Sequence, residues 1–113
     1  MNAETFLYLV TRGRNSGLPR RMEVWFVELD QVFYVLAESR DRADWVRNIE
    51  ANPDVSFSIG NRRNAFSAVD TTDGLGRVVD EAGEAELIER VRAQMLAKYR
   101  WMDGMIVEIA PRR

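Results

Sequence analysis

Met22-Glu23-Val24-Trp25-Phe26-Val27-Glu28-Leu29, then Asp30-Gln31, then Val32-Phe33-Tyr34-Val35-Leu36-Ala37 is the stretch that decides the fold. Two runs rich in β-branched and aromatic residues flank a two-residue connection, which is the pattern of a tight β-hairpin. Strands joined this way pair antiparallel, with no helix between them. In the first run Glu23, Trp25 and Val27 share one face, and Met22, Val24 and Phe26 share the other. One of these faces points away from the core. An aromatic as large as Trp25 there is either an interface residue or a platform for a flat ligand.

The same strand signal recurs on both sides of the hairpin. Phe6 to Thr11 is a short apolar run, and Val55 to Ile59 alternates with Val55, Phe57 and Ile59 on one face. Gly60-Asn61 marks a turn. Asn64 to Val69 and Leu75 to Val79 read as two further strands, with Asp70 to Gly74 bending the chain between them. Met105 to Ile109 closes the series, and Pro111 ends it.

Two helices interrupt the strands. Arg42 to Ala51 is predicted as the first, with Asp41 as its cap, Asp44 in the first turn and Asn52-Pro53 as its stop. Glu81 to Trp101 is predicted as the second. Leu87, Val91, Met95 and Tyr99 recur every four residues, with Ile88 and Leu96 beside them, and make one apolar stripe. Glu81, Glu84 and Glu86 stand at its start, Lys98 and Arg100 at its end, and Gly104 follows as terminator. The order β-β-β-α-β-β-β-α-β, built on hairpins, points to a mainly β (α+β) chain. A compact antiparallel barrel of six to seven strands, with the two helices outside or across its ends, is expected.

Composition bounds the chemistry. At 113 residues the chain reads as one domain spanning 1–113. Its 16 basic and 18 acidic residues give a net charge of −2, which does not suggest a nucleic-acid partner. There is no cysteine and no histidine. Disulfides, zinc–thiolate sites, Cys- or Ser–His nucleophiles and histidine acid–base chemistry are therefore excluded. Asp70, Asp73, Glu81 and Glu84 fit no calcium loop, so no metal is expected. No apolar run nears the roughly 20 residues of a membrane span, and no signal peptide is visible, so a cytoplasmic location is expected. No pair of acids is organised for catalysis, so any reaction must borrow its hard step from a cofactor. A chain this small is expected to cover its site with a second copy, as a homodimer.

Gly13-Arg14-Asn15-Ser16-Gly17-Leu18-Pro19-Arg20 lies between two strand runs. Glycines let backbone amides approach a ligand, and arginine forks suit phosphate, so the loop reads as an anion site or as a basic turn that meets only water. Ser39-Arg40-Asp41-Arg42 opens a helix and offers a second corner of the same kind, or simply a cap with solvated arginines. Trp45 and Asn48 face similar directions on the first helix, where Trp45 is either core or a cover for a ring ligand. Tyr99, Trp101 and Met102 read as residues that close the barrel.

Three segments together resemble the deazaflavin-dependent nitroreductases, also called deazaflavin-type quinone reductases, of the split β-barrel flavin-binding superfamily that includes pyridoxamine phosphate oxidases. These are Val10 to Arg20, Leu36 to Arg40, and Asp44 to Val55, the last similar to the family's Trp-x-x-Asn-x-x-x-Asn-Pro pattern. Ala97-Lys98-Tyr99 matches the family's final helix end. The resemblance implies a split barrel, a homodimer and the deazaflavin coenzyme F-420, with FMN as the cofactor of related branches. It implies that Arg14, Ser16, Gly17, Arg20 and Arg40 hold the cofactor's phosphate. Backbone at Trp25 and at Ala37 to Ser39 would line its ring, and Trp45 and Asn48 would buttress the phosphate region. It further implies hydride transfer to a small-molecule electron acceptor, a quinone, enone or nitro compound, with Tyr99 or solvent supplying the proton. The departures are Asn15, where the family usually has Lys or Arg, and Glu23, where an apolar residue or proline is common. A cofactor-storing or non-catalytic barrel is the reading from a different class.

Overall fold

The structure is a computed structural model and describes residues 6–39, 42–60, 71–101 and 103–112. Its elements in chain order are β1 (Phe6–Arg12), β2 (Pro19–Val24), β3 (Phe26–Leu29), β4 (Val32–Ala37), α1 (Asp44–Ala51), β5 (Asp54–Gly60), β6 (Thr72–Val78), α2 (Ala85–Tyr99) and β7 (Met105–Pro111). The seven strands form one sheet in the order β2-β1-β5-β6-β7-β4-β3, and every pairing is antiparallel. β2 and β3 stand at opposite ends of that order, yet only Trp25 separates them in the chain. The sheet therefore curls back on itself into a split barrel.

The hairpin that decides the fold forms as its spacing demands. Leu29 pairs with Val32, and Asp30 and Gln31 both take positive φ (54° and 68°). That is a primed turn, whose twist matches the strands, built here without glycine.

The single strand expected over Met22–Leu29 is in fact broken at Trp25. β2 bonds to β1 (Val24 opposite Leu7) and β3 bonds to β4 (Phe26 opposite Val35). The alternation of faces nevertheless carries across the break: Met22, Val24 and Phe26 face the barrel interior, and Glu23, Trp25 and Val27 face outward, where α2 covers Val27. Val24, Phe26 and Val27 are all buried. Phe26 enters the barrel interior with Leu7, Leu9, Val35, Phe57 and Ile109. Val27 joins a second cluster outside the barrel, where Ile88, Val91 and Met95 of α2 pack on Tyr34 and Ile106. A fully buried side chain such as Met95 contributes about 1.5–3 kcal/mol over its exposed state. The predicted stripe on α2 is thus its buried face, although Leu96 remains largely exposed.

α1 covers the barrel interior by adding Val46 and Ile49 to the first cluster. Gly76 makes this contact possible, since a Cβ there would lie 3.0 Å from Ile49 Cγ2. The start of α2 is fixed by charge. Arg77 bonds Glu84 through both terminal nitrogens (2.9 and 2.7 Å) and Glu108 through Nε and Nη2 (3.0 and 3.1 Å), while the Tyr34 hydroxyl donates to Glu108 (3.1 Å). These bonds join β4, β6, β7 and the residue that caps α2.

Several boundaries move. α1 starts at Asp44, not Arg42, with Ala43 as a cap that makes no side-chain bond. α2 starts at Ala85, not Glu81, because Asp80 to Gly83 form a turn in which Asp80 Oδ1 accepts from the Ala82 amide (3.1 Å). It ends at Tyr99 and not Trp101, with Arg100 in the left-handed region (φ 58°) as the terminator expected at Gly104. Thr72 to Gly74, read as part of a bend, belong to β6. The expected strand Asn64 to Val69, the Asp41 cap and Met102 lie outside the described residues. Among the described residues no helix is long and apolar enough to cross a membrane.

Candidate functional site

The break at Trp25 opens one wall of a groove that continues over the start of α1. Its first part encloses about 430 Å³ and is lined by Phe6, Met22, Trp25, Trp45 and Trp101, by Ala37 and Ser39 at the end of β4, and by Glu23 and Glu38. Its second part encloses about 690 Å³ and is lined by Thr11, the loop residues Gly13 to Ser16, Arg20, Arg21, Asp44 and Asn48. Met22, Ser39, Ala43 and Trp45 line both parts, so the two are continuous. All three tryptophans of the chain converge on the first part. Trp101, expected to close the barrel, instead stands 41% exposed on the groove wall.

The basic loop folds onto α1. Gly13 N donates to Leu18 O (2.9 Å), Gly17 N to Gly13 O (2.8 Å), and Leu18 N to Ser16 Oγ (3.2 Å). Gly17 takes φ +70°, which the absence of a side chain allows. Arg14 is pinned: its amide and its Nη1 both donate to Asn48 Oδ1 (3.1 and 2.9 Å), and its Nη2 reaches Asp44 (3.3 Å). Asn48 is buried, and its Nδ2 donates to the buried Thr11 hydroxyl (3.4 Å). Asn48 thus ties the end of β1, the loop and α1 together. Four loop amides expected to be open to a ligand are spent on these internal bonds. Among the described residues the amides of Asn15 and Ser16 and the Arg20 guanidinium carry no partner. These three donors and the hydroxyl of Ser16 are among the groups the second part offers to an anion.

Trp45 is both things the sequence left open. It packs against the barrel core and lines both parts of the groove. Trp25 is a wall residue, 39% exposed, whose ring stacks on Tyr99 at 4.7 Å and 5°. Tyr99 does not line the groove. Its hydroxyl donates to Phe26 O and accepts from Phe26 N (both 3.1 Å), and Lys98 Nζ also donates to Phe26 O (3.1 Å) while lying 3.8 Å over the Phe26 ring. Phe26 is the first residue after the strand break, on the free edge of β3. Lys98 and Tyr99, read in the sequence as the basic end of the helix and the last residue of its apolar stripe, clamp that edge. Burial pushes the Tyr99 hydroxyl above the ordinary tyrosine value, with the bond to the Phe26 backbone acting the other way.

Of the residues singled out in the sequence, Arg14, Ser16, Arg20, Ser39, Trp45 and Asn48 therefore meet around one part of the groove, and Trp25, Ala37, Ser39 and Trp45 around the other. Gly17 shapes the loop without lining it. Arg40 lies outside the described residues. Trp101 lines the groove without having been singled out for it, since nothing in its local spacing indicates where the chain after α2 will pass. Among the described residues no group of three or more acidic side chains is placed to hold a metal.

The fold has well-matched counterparts. HutZ, the heme storage protein from Vibrio cholerae, aligns at a TM-score of 0.73 and 23% identity over 97% of this chain and 83% of its own. The protein Rv2991 from Mycobacterium tuberculosis aligns at 0.71 and 20% over 96% and 74%. A FAD-binding protein from Mesorhizobium loti aligns at 0.69 and 15% over 98% and 83%. At these identities the likeness concerns the fold. No curated protein matches the sequence. A family model, F420H(2)-dependent quinone reductase, matches residues 1–102.

Proposed function

This chain belongs to the F420H(2)-dependent quinone reductase family, and we propose that it transfers a hydride from reduced deazaflavin F-420 to a small quinone, enone or nitro compound. The observation that carries this is the continuity of the groove: a tryptophan-lined part opens directly into a part that bears Arg20, Ser16 and two free amides. A flat ring joined to a phosphate fits these two halves, because ring faces favour aromatic walls and phosphate favours arginine forks and backbone donors.

Bound there, the cofactor supplies the hydride, and the protein supplies position. Arg20, Ser16 and the loop shaped by Gly17 would hold the phosphate; Arg40, assigned to it by the family resemblance, lies outside the described residues. Arg14 is fixed by Asn48, so its guanidinium adds positive charge without reorganising. Backbone from Ala37 to Ser39 and the ring of Trp25 bound the ring site, with Trp45 at the junction. Tyr99 serves as a clamp for Trp25 and Phe26, and solvent delivers the proton. One copy leaves Trp25 and Trp101 about two-fifths exposed on the groove wall; a second copy of the chain, in a homodimer, closes the mouth of the groove and leaves these ring faces to the ligand. FMN is the alternative occupant, since the same groove features would serve its ring and phosphate.

Titration of the tryptophan fluorescence with F-420 and, in parallel, with FMN tests the reading. Saturable quenching by F-420 at micromolar concentration, with FMN much weaker, is expected. Arg20→Ala should weaken F-420 binding about tenfold, within the range for a hydrogen bond to a charged group, and leave the melting temperature unchanged. Preference for FMN would move the chain to the flavin-binding branch. Binding of neither would refute the oxidoreductase reading in favour of a non-catalytic barrel.

A further inference from the structure

The groove is electrically divided. Its loop end carries Arg14, Arg20 and Arg21, whereas the only charged side chains that line its tryptophan end, among the described residues, are Glu23 and Glu38. Among the described residues neither carboxylate has a hydrogen bond or ion pair. Arg14 and Asp44, which face each other at the loop end, are paired (3.3 Å). The acids are thus left uncompensated at the aromatic end. Glu23 lies two residues before Trp25 on the same face, and Glu38 stands across the groove after β4. Around them are Phe6, Trp25, Trp45 and Trp101. One face of Trp25 is covered by Tyr99, which leaves the other for a ligand.

Tryptophan faces attract cations through the ring quadrupole, and nearby carboxylates add a field of the same sign. An anion would meet repulsion from both. We propose that the aromatic end of the groove, while no cofactor ring occupies it, is a site for flat aromatic rings that prefers cations to neutral compounds and disfavours anions. This stands on the groove alone and not on the oxidoreductase reading. A volume of about 430 Å³ is sufficient for a ring system of this size.

The test uses the full-length protein without cofactor. Binding of N-methylacridinium and of anthracene-2-sulfonate, three-ring compounds of opposite charge, is measured by equilibrium dialysis, with neutral anthracene-2-methanol as reference. At low salt the cation should bind about tenfold tighter than the neutral ring and the anion correspondingly weaker, the size expected for two exposed charges. At 1 M salt, where the screening length is about 3 Å, the preference should fall to about twofold. Glu23→Gln with Glu38→Gln should reduce the preference to the about twofold that the tryptophan faces leave and retain neutral-ring binding, and Trp101→Ala should weaken all three ligands. Both acids are exposed and unpaired, so the double variant should melt with the parent. Should it unfold, the salt series on the parent still decides. Equal binding of the three ligands, tighter binding of the anion, or a preference indifferent to salt overturns the proposal. Failure of F-420 to bind, with the charge preference intact, would count against the oxidoreductase reading alone.

Discussion

Tyr99→Phe separates a strut from a proton donor. The substitution deletes one oxygen that donates to Phe26 O and accepts from Phe26 N, both at 3.1 Å. The carbonyl keeps Lys98 Nζ at 3.1 Å, so the loss falls on the Phe26 amide, at the free edge of β3. An orphaned buried donor costs about 1–3 kcal/mol. Tyr99 is only partly buried, so water restores some of this, and a loss of about 1–2 kcal/mol is expected, or a fall in melting temperature of roughly 4–8 °C for a chain of this size. The ring, and with it the stack on Trp25, is kept. Circular dichroism melts and steady-state turnover are the assays. A strut predicts the lower melting temperature with kcat within about threefold of the parent. A general acid predicts a fall of about 10²-fold or more with the melt unchanged. That second pattern, or an unchanged melt with unchanged turnover, would refute the clamp. The hydroxyl's raised value adds a check: its stabilisation is complete below the ordinary tyrosine value and is lost as pH rises beyond it.

Asn48→Ala removes the acceptor of two Arg14 bonds and the donor to the buried Thr11 hydroxyl. A loss of about 2–3 kcal/mol in chemical denaturation, together with weaker phosphate-end binding, is expected. The Arg77 bonds hold the Glu84 carboxyl at about 2, well below the ordinary 4.5. Its contribution is therefore present above pH 4.5 and lost as pH falls toward 2, and Glu84→Gln should flatten that limb of the melting-temperature profile. Tyr34 is raised to about 12, chiefly by burial and then by Glu108. Its stabilisation is complete below pH 10 and fades toward 12, so Tyr34→Phe should melt with less alkaline sensitivity. Gly76→Ala sets a Cβ 3.0 Å from Ile49 Cγ2 and should cost about 1–3 kcal/mol; combination with Ile49→Ala should be less than additive in thermal melts.

Local signals carried the elements well. The Asp30-Gln31 hairpin, the Val55–Ile59 alternation and the stripe through Val91 and Met95 all lie where pattern and period put them. Boundaries were less legible where the deciding group is distant. Asp80 and Arg77 fix the start of α2 through Glu84, and that bond is invisible to a helical period. The loop was readable as an anion site from its glycines and arginines. Which of its amides remain free was not, because Asn48, 34 residues away from Arg14, takes one of them.

By itself the sequence determined the antiparallel class, the mainly β architecture and the absence of histidine and cysteine chemistry, because these follow from neighbours along the chain and from composition. Its ordered motifs also pointed to the family whose model matches residues 1–102. Only the tertiary structure decided that the run from Met22 to Leu29 is two strands. Closing the barrel requires its halves to bond to β1 and to β4, and the backbone must break between them. That break places Trp25 on the groove, brings Tyr99 and Lys98 onto Phe26, and gathers Trp25, Trp45 and Trp101 around two unpaired acids. Residues so far apart in the chain meet only because the sheet curls, and periodicity along the chain does not encode curvature.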